Sequence, residues 1–253
     1  MARPTYPYRP TTSSFSFGPG PMSTALKAII GANVVMFLAT TFFPALVHEL
    51  ALVPALAVHD VRIYQLVTYM FIHAGLLHIL FNMLALWMFG TELERMWGTR
   101  FFLKFYFITG IGAGALTVLL TFLLPFGPLK QLYVSPIVGA SGAIYGLLLA
   151  YAMYFPDRQI YMYLVFPIPA RIFVLIMGAI ALYLSVSDSG GVANATHLSG
   201  LLVAYVYLKG LRLTLNPWAE VKYRYIKWRI NRVRKKFDVY SGGKNDEWNR
   251  RVH

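Results

Sequence analysis

The chain of 253 residues contains no cysteine, which excludes disulfides, thiolate nucleophiles and cysteine-based metal sites. Charge is scarce as well: Asp, Glu, Lys and Arg make up 13% of the residues, against roughly 25% in an ordinary soluble domain. Acidic groups are the rarer sign, 10 Asp and Glu against 23 Lys and Arg. No HExxH pair occurs, and the spacing of His73 and His78 sets them roughly 140° apart round a helix, which argues against a metal site. No internal repeat is apparent, which weighs against an inverted-repeat transporter. What the chain has instead is apolar residues, 57% of the total, with a mean hydropathy of +0.55.

The net charge of +13 would suit a nucleic-acid partner, but its placement does not. Residues 212–253 alone hold 12 Lys and Arg against 4 Asp and Glu. Most other cations lie in short connections between apolar runs, as the positive-inside rule expects of cytoplasmic segments. Residues 1–23 are rich in Pro, Tyr, Ser and Gly and show no signal-peptide pattern, so a disordered cytoplasmic leader is expected.

Six apolar segments follow, near 24–45, 75–96, 101–124, 141–155, 169–186 and 195–211. The expected fold is therefore all-α, a polytopic bundle of six transmembrane helices over residues 24–211. Lys27, Arg95, Arg100, Lys104, Arg158, Arg171 and the basic tail all fall on one side, expected to be cytoplasmic together with both termini. The setting this implies is a cell membrane, inner or plasma. The first three segments reach the roughly 20 residues that hydrocarbon requires; the last three are shorter. Counted from Ser141 to Pro156, the fourth spans only about 22 Å. Ser141 would then sit at a helix N-terminus below the membrane surface, and the irregular chain before it (Pro125 to Val138) would line a protein-enclosed or water-filled cavity.

Ser141 lies in Gly139-Ala140-Ser141-Gly142, and His197 in Ala195-Thr196-His197-Leu198-Ser199-Gly200. Small residues in membrane helices usually serve close packing, and Gly142 with Gly146 fits that use. The pattern is not a soluble nucleophile elbow, because residue 143 is Ala and no strand precedes it. An intramembrane histidine, however, is a functional candidate by default. Gly200 and Ala204 share its helix face and could pack on Gly142 and Gly146, bringing imidazole within reach of the hydroxyl. Asp188 is the one acid nearby and falls in a loop, so a Ser–His dyad is the expectation. His78 and Asn82, four residues apart on one face, could donate hydrogen bonds to an oxyanion, with the Ser141 backbone N–H as a further donor. Interhelical contact is the plainer use of the same pair.

Four stretches, HILFN (78–82), FGTELERMWG (89–98), GASGAIYG (139–146) and ATHLSGLLVA (195–204), resemble the rhomboid family of intramembrane serine proteases in order and spacing. The likeness covers about residues 60–210. It implies Ser141 as nucleophile, His197 as general base, and His78 and Asn82 as oxyanion-hole side chains. It also implies that Tyr145 stacks beneath His197, and that Gly142, Gly200 and Ala204 mediate the helix contact, with Ala204 replacing a second glycine. Tyr64-Gln65 stands where many members carry Trp-Arg. The implied reaction is hydrolysis of a peptide bond in or beside the transmembrane segment of another membrane protein, without metal or cofactor. A silent adaptor of the same fold, or a small channel, is the rival reading.

In the tail, Ile226, Ile230, Val233, Phe237 and Tyr240 recur at helical spacing among Lys and Arg. This basic amphipathic pattern suits anionic lipid at the membrane surface, the alternative being a solvated helix end.

Overall fold

A computed structural model describes residues 19–124, 126–162, 166–186 and 191–214, together with 225, 226, 228, 229 and 232. By contact the chain divides into two units, Met1–Tyr207 and Leu208–His253, and the candidate site lies within the first. Its long helices are α1 (Thr24–Phe42), α7 (Thr99–Leu123) and a composite second span. That span joins α5 (Leu76–Ala85), a π-turn (Leu86–Gly90) and α6 (Thr91–Trp97) into 22 residues. These three are long and apolar enough to cross a membrane. Two shorter apolar helices follow, α9 (Ser141–Tyr154) and α10 (Ala170–Val186). The final helix, α11, runs Gly191–Thr214, beginning earlier than the hydropathy suggested. Hydropathy marks where a helix is apolar, not where its backbone hydrogen bonds stop.

The connections are more ordered than expected. The first loop folds into α2 (Ala45–Leu50), α3 (Pro54–His59) and α4 (Gln65–Thr68). Gln65 is fully buried, and both ends of its amide are used. Its Nε2 donates to the Glu49 carbonyl at 3.1 Å, and its Oε1 accepts from the Val53 N–H at 3.2 Å. Thr68 Oγ1 adds a bond to the Leu50 carbonyl at 2.7 Å. One neutral amide thus ties α2, α3 and α4 together.

The segment expected to be irregular before Ser141 contains a helix, α8 (Pro128–Val134). Pro128 at its first position presets φ and needs no N–H partner there. Between α9 and α10 the chain forms an antiparallel hairpin, β1 (Gln159–Met162) with β2 (Phe166–Pro169), where only a short basic connection was expected.

The centre of the bundle is α7, α9 and α11. A Cβ on Gly142 would lie 2.9 Å from Ala113 Cβ, and one on Gly110 would lie 3.2 Å from Ala143 Cβ, so α7 and α9 nearly touch. Gly112 offers the same space to Val203 of α11. The Cβ direction of Gly146 points to α7, whereas the sequence pattern suggested a pairing with α11. Its neighbour is Thr109 of α7, 3.0 Å from a Cβ placed there. A small-xxx-small pair marks a face but leaves open which helix meets it.

Candidate active site

Ser141 opens α9, and its position is set by backbone contacts from the first loop. Leu52 and Ile137 exchange both their hydrogen bonds, at 3.0 and 2.8 Å, and the Gly139 N–H donates to the Tyr69 carbonyl at 2.9 Å. The chain before the serine is therefore stitched on two sides before the helix begins. Gly139 has φ +117°, where a side chain would be strained. A Cβ there would also lie 2.8 Å from His78 Nε2 and 3.6 Å from Ser141 Oγ. The absent side chain leaves a small space on which the imidazole and the hydroxyl converge.

His197 comes to Ser141 from α11, with Nε2 2.7 Å from Oγ. A Cβ on Gly200 would fall 2.1 Å from the Gly142 carbonyl oxygen, so the helices meet backbone to backbone one turn past the histidine. Ala204, in place of a second glycine, is fully buried and does not prevent this approach. The His197 ring stacks on Tyr145 at 4.3 Å between centroids and 7° between planes, which fixes its plane. Its Nδ1 is buried with no hydrogen-bond partner among the described residues. Asp188, the acid nearest in sequence, lies outside them.

His78 sits on the far side of the same space. Its Nδ1 accepts from the Ala74 N–H at 3.4 Å, a contact that assigns the remaining proton to Nε2, facing Gly139. Asn82 is nearly buried, and one of its amide protons is given to the His78 carbonyl at 2.7 Å. The other remains available. His73, in the loop before α5, packs its ring edge on His78 with centroids 5.0 Å apart. Burial, and then His78 beside it, pull the His73 imidazole down to about 4. His73 also lines an open cavity of about 460 Å³ with Phe37, Thr40, Val47, Ile72 and Val138. Pro136 and Val138 are the part of the loop before Ser141 that lines it. Among the described residues no group of three His, Asp or Glu is placed to hold a metal.

The stretch FGTELERMWG, quoted above without roles, proves to be a junction at the opposite end of α9. Glu92 accepts from Tyr151 Oη at 3.2 Å and pairs with Arg158 at 3.5 Å. Glu94, 5% exposed, accepts from Ser23 Oγ at 2.6 Å and from Thr99 Oγ1 at 2.7 Å. Arg95 donates to the carbonyls of Pro19 and Pro21. Two carboxylates and a guanidinium therefore tie the second span to α9, to α7 and to the entry of α1. The Glu-x-Glu-Arg spacing was the available signal: acids are rare in this chain, and two of the ten lie here.

A sequence model of the Rhomboid domain matches residues 60–213. The chain belongs to the rhomboid family. It is a multi-pass membrane protein with that family's helical fold. It is 35% identical over 140 residues to the mitochondrial Rhomboid protein 1 of Saccharomyces cerevisiae, an overlap covering 54% of the chain and 38% of that protein. It is 32% identical over 152 residues to the rhomboid protease GluP of Bacillus subtilis, covering 59% of the chain and 26% of that protein. The mitochondrial RHOMBOID-like protein 12 of Arabidopsis thaliana is 28% identical over 153 residues, 57% of the chain and 45% of its own length. The match spans less than half the length of each of these three relatives.

Proposed function

We propose that the chain is an intramembrane serine endopeptidase that cleaves transmembrane segments of other membrane proteins with a Ser141–His197 dyad. The observation that carries this reading is the 2.7 Å contact between His197 Nε2 and Ser141 Oγ, with the imidazole held flat on Tyr145. A serine hydroxyl is a weak nucleophile until a base takes its proton during attack, and His197 is oriented for that. The tetrahedral oxyanion would form in the space beside Gly139. His78 Nε2–H, the free proton of the Asn82 amide and the Ser141 backbone N–H are its donors. Helix N–H groups of the first turn have no intrahelical partner, so the last of these costs no backbone bond. His197 then gives its proton to the leaving amine. Water entering at the Ser141 end of α9 hydrolyses the acyl-enzyme, His197 again acting as base.

A substrate helix must unwind locally, because its carbonyls are otherwise engaged in i to i−4 bonds. Family precedent points to a small residue before the scissile bond and helix-breaking residues after it. The cavity lined by Phe37, Ile72 and Val138 is apolar enough to take one hydrophobic side chain of the unwound segment.

The six-span count, the cell-membrane location and the cytoplasmic placement of both termini are part of this proposal, supported by the positions of the basic residues. So is contact of the tail with anionic lipid. Deleting residues 218–253 should weaken binding to anionic vesicles, and unchanged binding would remove that element. Purified chain in bilayers should cleave a single-span substrate, whereas Ser141→Ala and His197→Ala should not. Substrate binding without cleavage by all three would favour the adaptor reading instead.

A further inference from the structure

Three hydroxyls meet in the core between α7 and α11, away from the dyad itself. Thr117 Oγ1 lies 2.8 Å from the Ala113 carbonyl, 3.2 Å from Thr196 Oγ1 and 3.3 Å from Ser199 Oγ. All three side chains are buried, Thr117 completely and the other two at 2% exposure. A hydroxyl has one proton to give and two lone pairs to receive. The Thr117 proton goes to the Ala113 carbonyl, which can only accept. Assigned in this way, Thr196 and Ser199 donate into the two lone pairs of Thr117.

The geometry points to Thr117 as a positioning residue for His197. Thr196 and Ser199 bracket His197 in the sequence and share one helix face, three residues apart. Two bonds from one face of α11 to a single point on α7 fix both the rotation and the height of α11. Val203 against Gly112, and Phe105 against Tyr207, are apolar and tolerate sliding. Gly200 on the Gly142 carbonyl sets the separation of α11 from α9 but not its rotation. The hydroxyl junction adds a directional constraint next to His197, since Thr196 is its neighbour in sequence. Without it Thr196 and Ser199 can turn back to carbonyls of their own helix, so the fold survives while the register of His197 loosens.

The inference rests on the dyad reading above, and a two-part test separates them. Full-length chain with ¹⁵N-labelled histidine is placed in lipid nanodiscs, and the His197 signal is assigned by its loss in His197→Ala. Wild type should show a hydrogen-bonded Nε2. Thr117→Val should shift it toward the free imidazole, Thr117→Ser should restore it, and the pair Thr196→Ala with Ser199→Ala should reproduce the Thr117→Val spectrum. In parallel, kcat on a single-span substrate should fall about 10- to 100-fold in Thr117→Val with KM unchanged, since small misplacements of a base cost that much. An unshifted signal in both Thr117→Val and the double variant would overturn the proposal. So would a failure of Thr117→Ser to restore it, or a lowered Tm with unchanged kcat. If wild type cleaves nothing while the signal still moves as described, the protease reading falls and the role of Thr117 stands.

Discussion

Helices α1 and α9 are both apolar along their whole length, yet they live in different solvents. In α1, 4 of 19 residues are buried, and Val34, Val35, Leu38 and Phe42 face outward. In α9, 10 of 14 are buried, with Ala113, Thr109 and the α11 backbone against its glycines. A helix solvated by lipid must match the hydrocarbon thickness, and α1 at about 28 Å does. A helix solvated by protein has no such length to meet. At about 21 Å α9 can start inside the bilayer, where its first residue is a serine whose hydroxyl already has a partner. The short helix and its protein-filled surroundings are one arrangement: glycine lets α9 be enclosed, and enclosure lets it be short.

Substitutions that treat the two helices alike should therefore give opposite results. The largest effects lie at the start of α9, where Ser141→Ala and the facing His197→Ala should each lower turnover by at least about a thousandfold without loss of folded protein. Turnover of a single-span substrate, with Tm as the control, reads this. Next comes Gly200→Ala, whose new methyl meets the Gly142 carbonyl at 2.1 Å and must push α11 away. It should cost about 1–3 kcal/mol in reversible unfolding and reduce cleavage in the same protein. Gly31→Ala in α1 places the same methyl in open space and should be neutral or stabilising by up to about 1 kcal/mol. Equal effects at the two glycines would erase the contrast.

Smaller differences test how the first loop holds the serine segment. Gln65→Ala leaves the buried Val53 N–H without its partner and should cost about 1–3 kcal/mol. Arg62→Ala removes an exposed pair with Glu49 and should cost less than about 1 kcal/mol. A pH dependence accompanies these. His73 is held neutral in the fold, lowered to about 4 from its ordinary 6.5, so the unfolded chain takes up its proton first. Its contribution is complete above about 6.5 and declines as pH falls toward about 4. Thermal unfolding across that range should slope in wild type and slope less steeply in His73→Leu.

These contrasts also explain what could be read from the chain directly. The helices α1, α5–α6 and α7 were legible because lipid demands unbroken apolar runs. The small elements α2, α3, α4 and α8 and the hairpin were not, because distant partners hold them: Gln65 to Glu49 and Val53, Leu52 to Ile137. At the candidate site, the motifs named Ser141, His197, His78, Asn82 and Tyr145, and the structure brings the serine to His197, sets His78 beside Gly139 and stacks the tyrosine on His197. The partner of Gly146 was hidden, since small-residue spacing does not name the opposing helix. The Thr117 junction was hidden too, because hydroxyls in apolar helices are common and only tertiary contact shows which ones meet.

The dyad itself is tested most directly by a serine-directed fluorophosphonate applied to the intact chain in bilayers, with the modified residue located by mass spectrometry. Labelling should fall on Ser141 and be lost in His197→Ala while that variant stays folded. Labelling that ignored His197, or an unlabelled Ser141 in folded wild type, would contradict a base-activated serine at the head of α9.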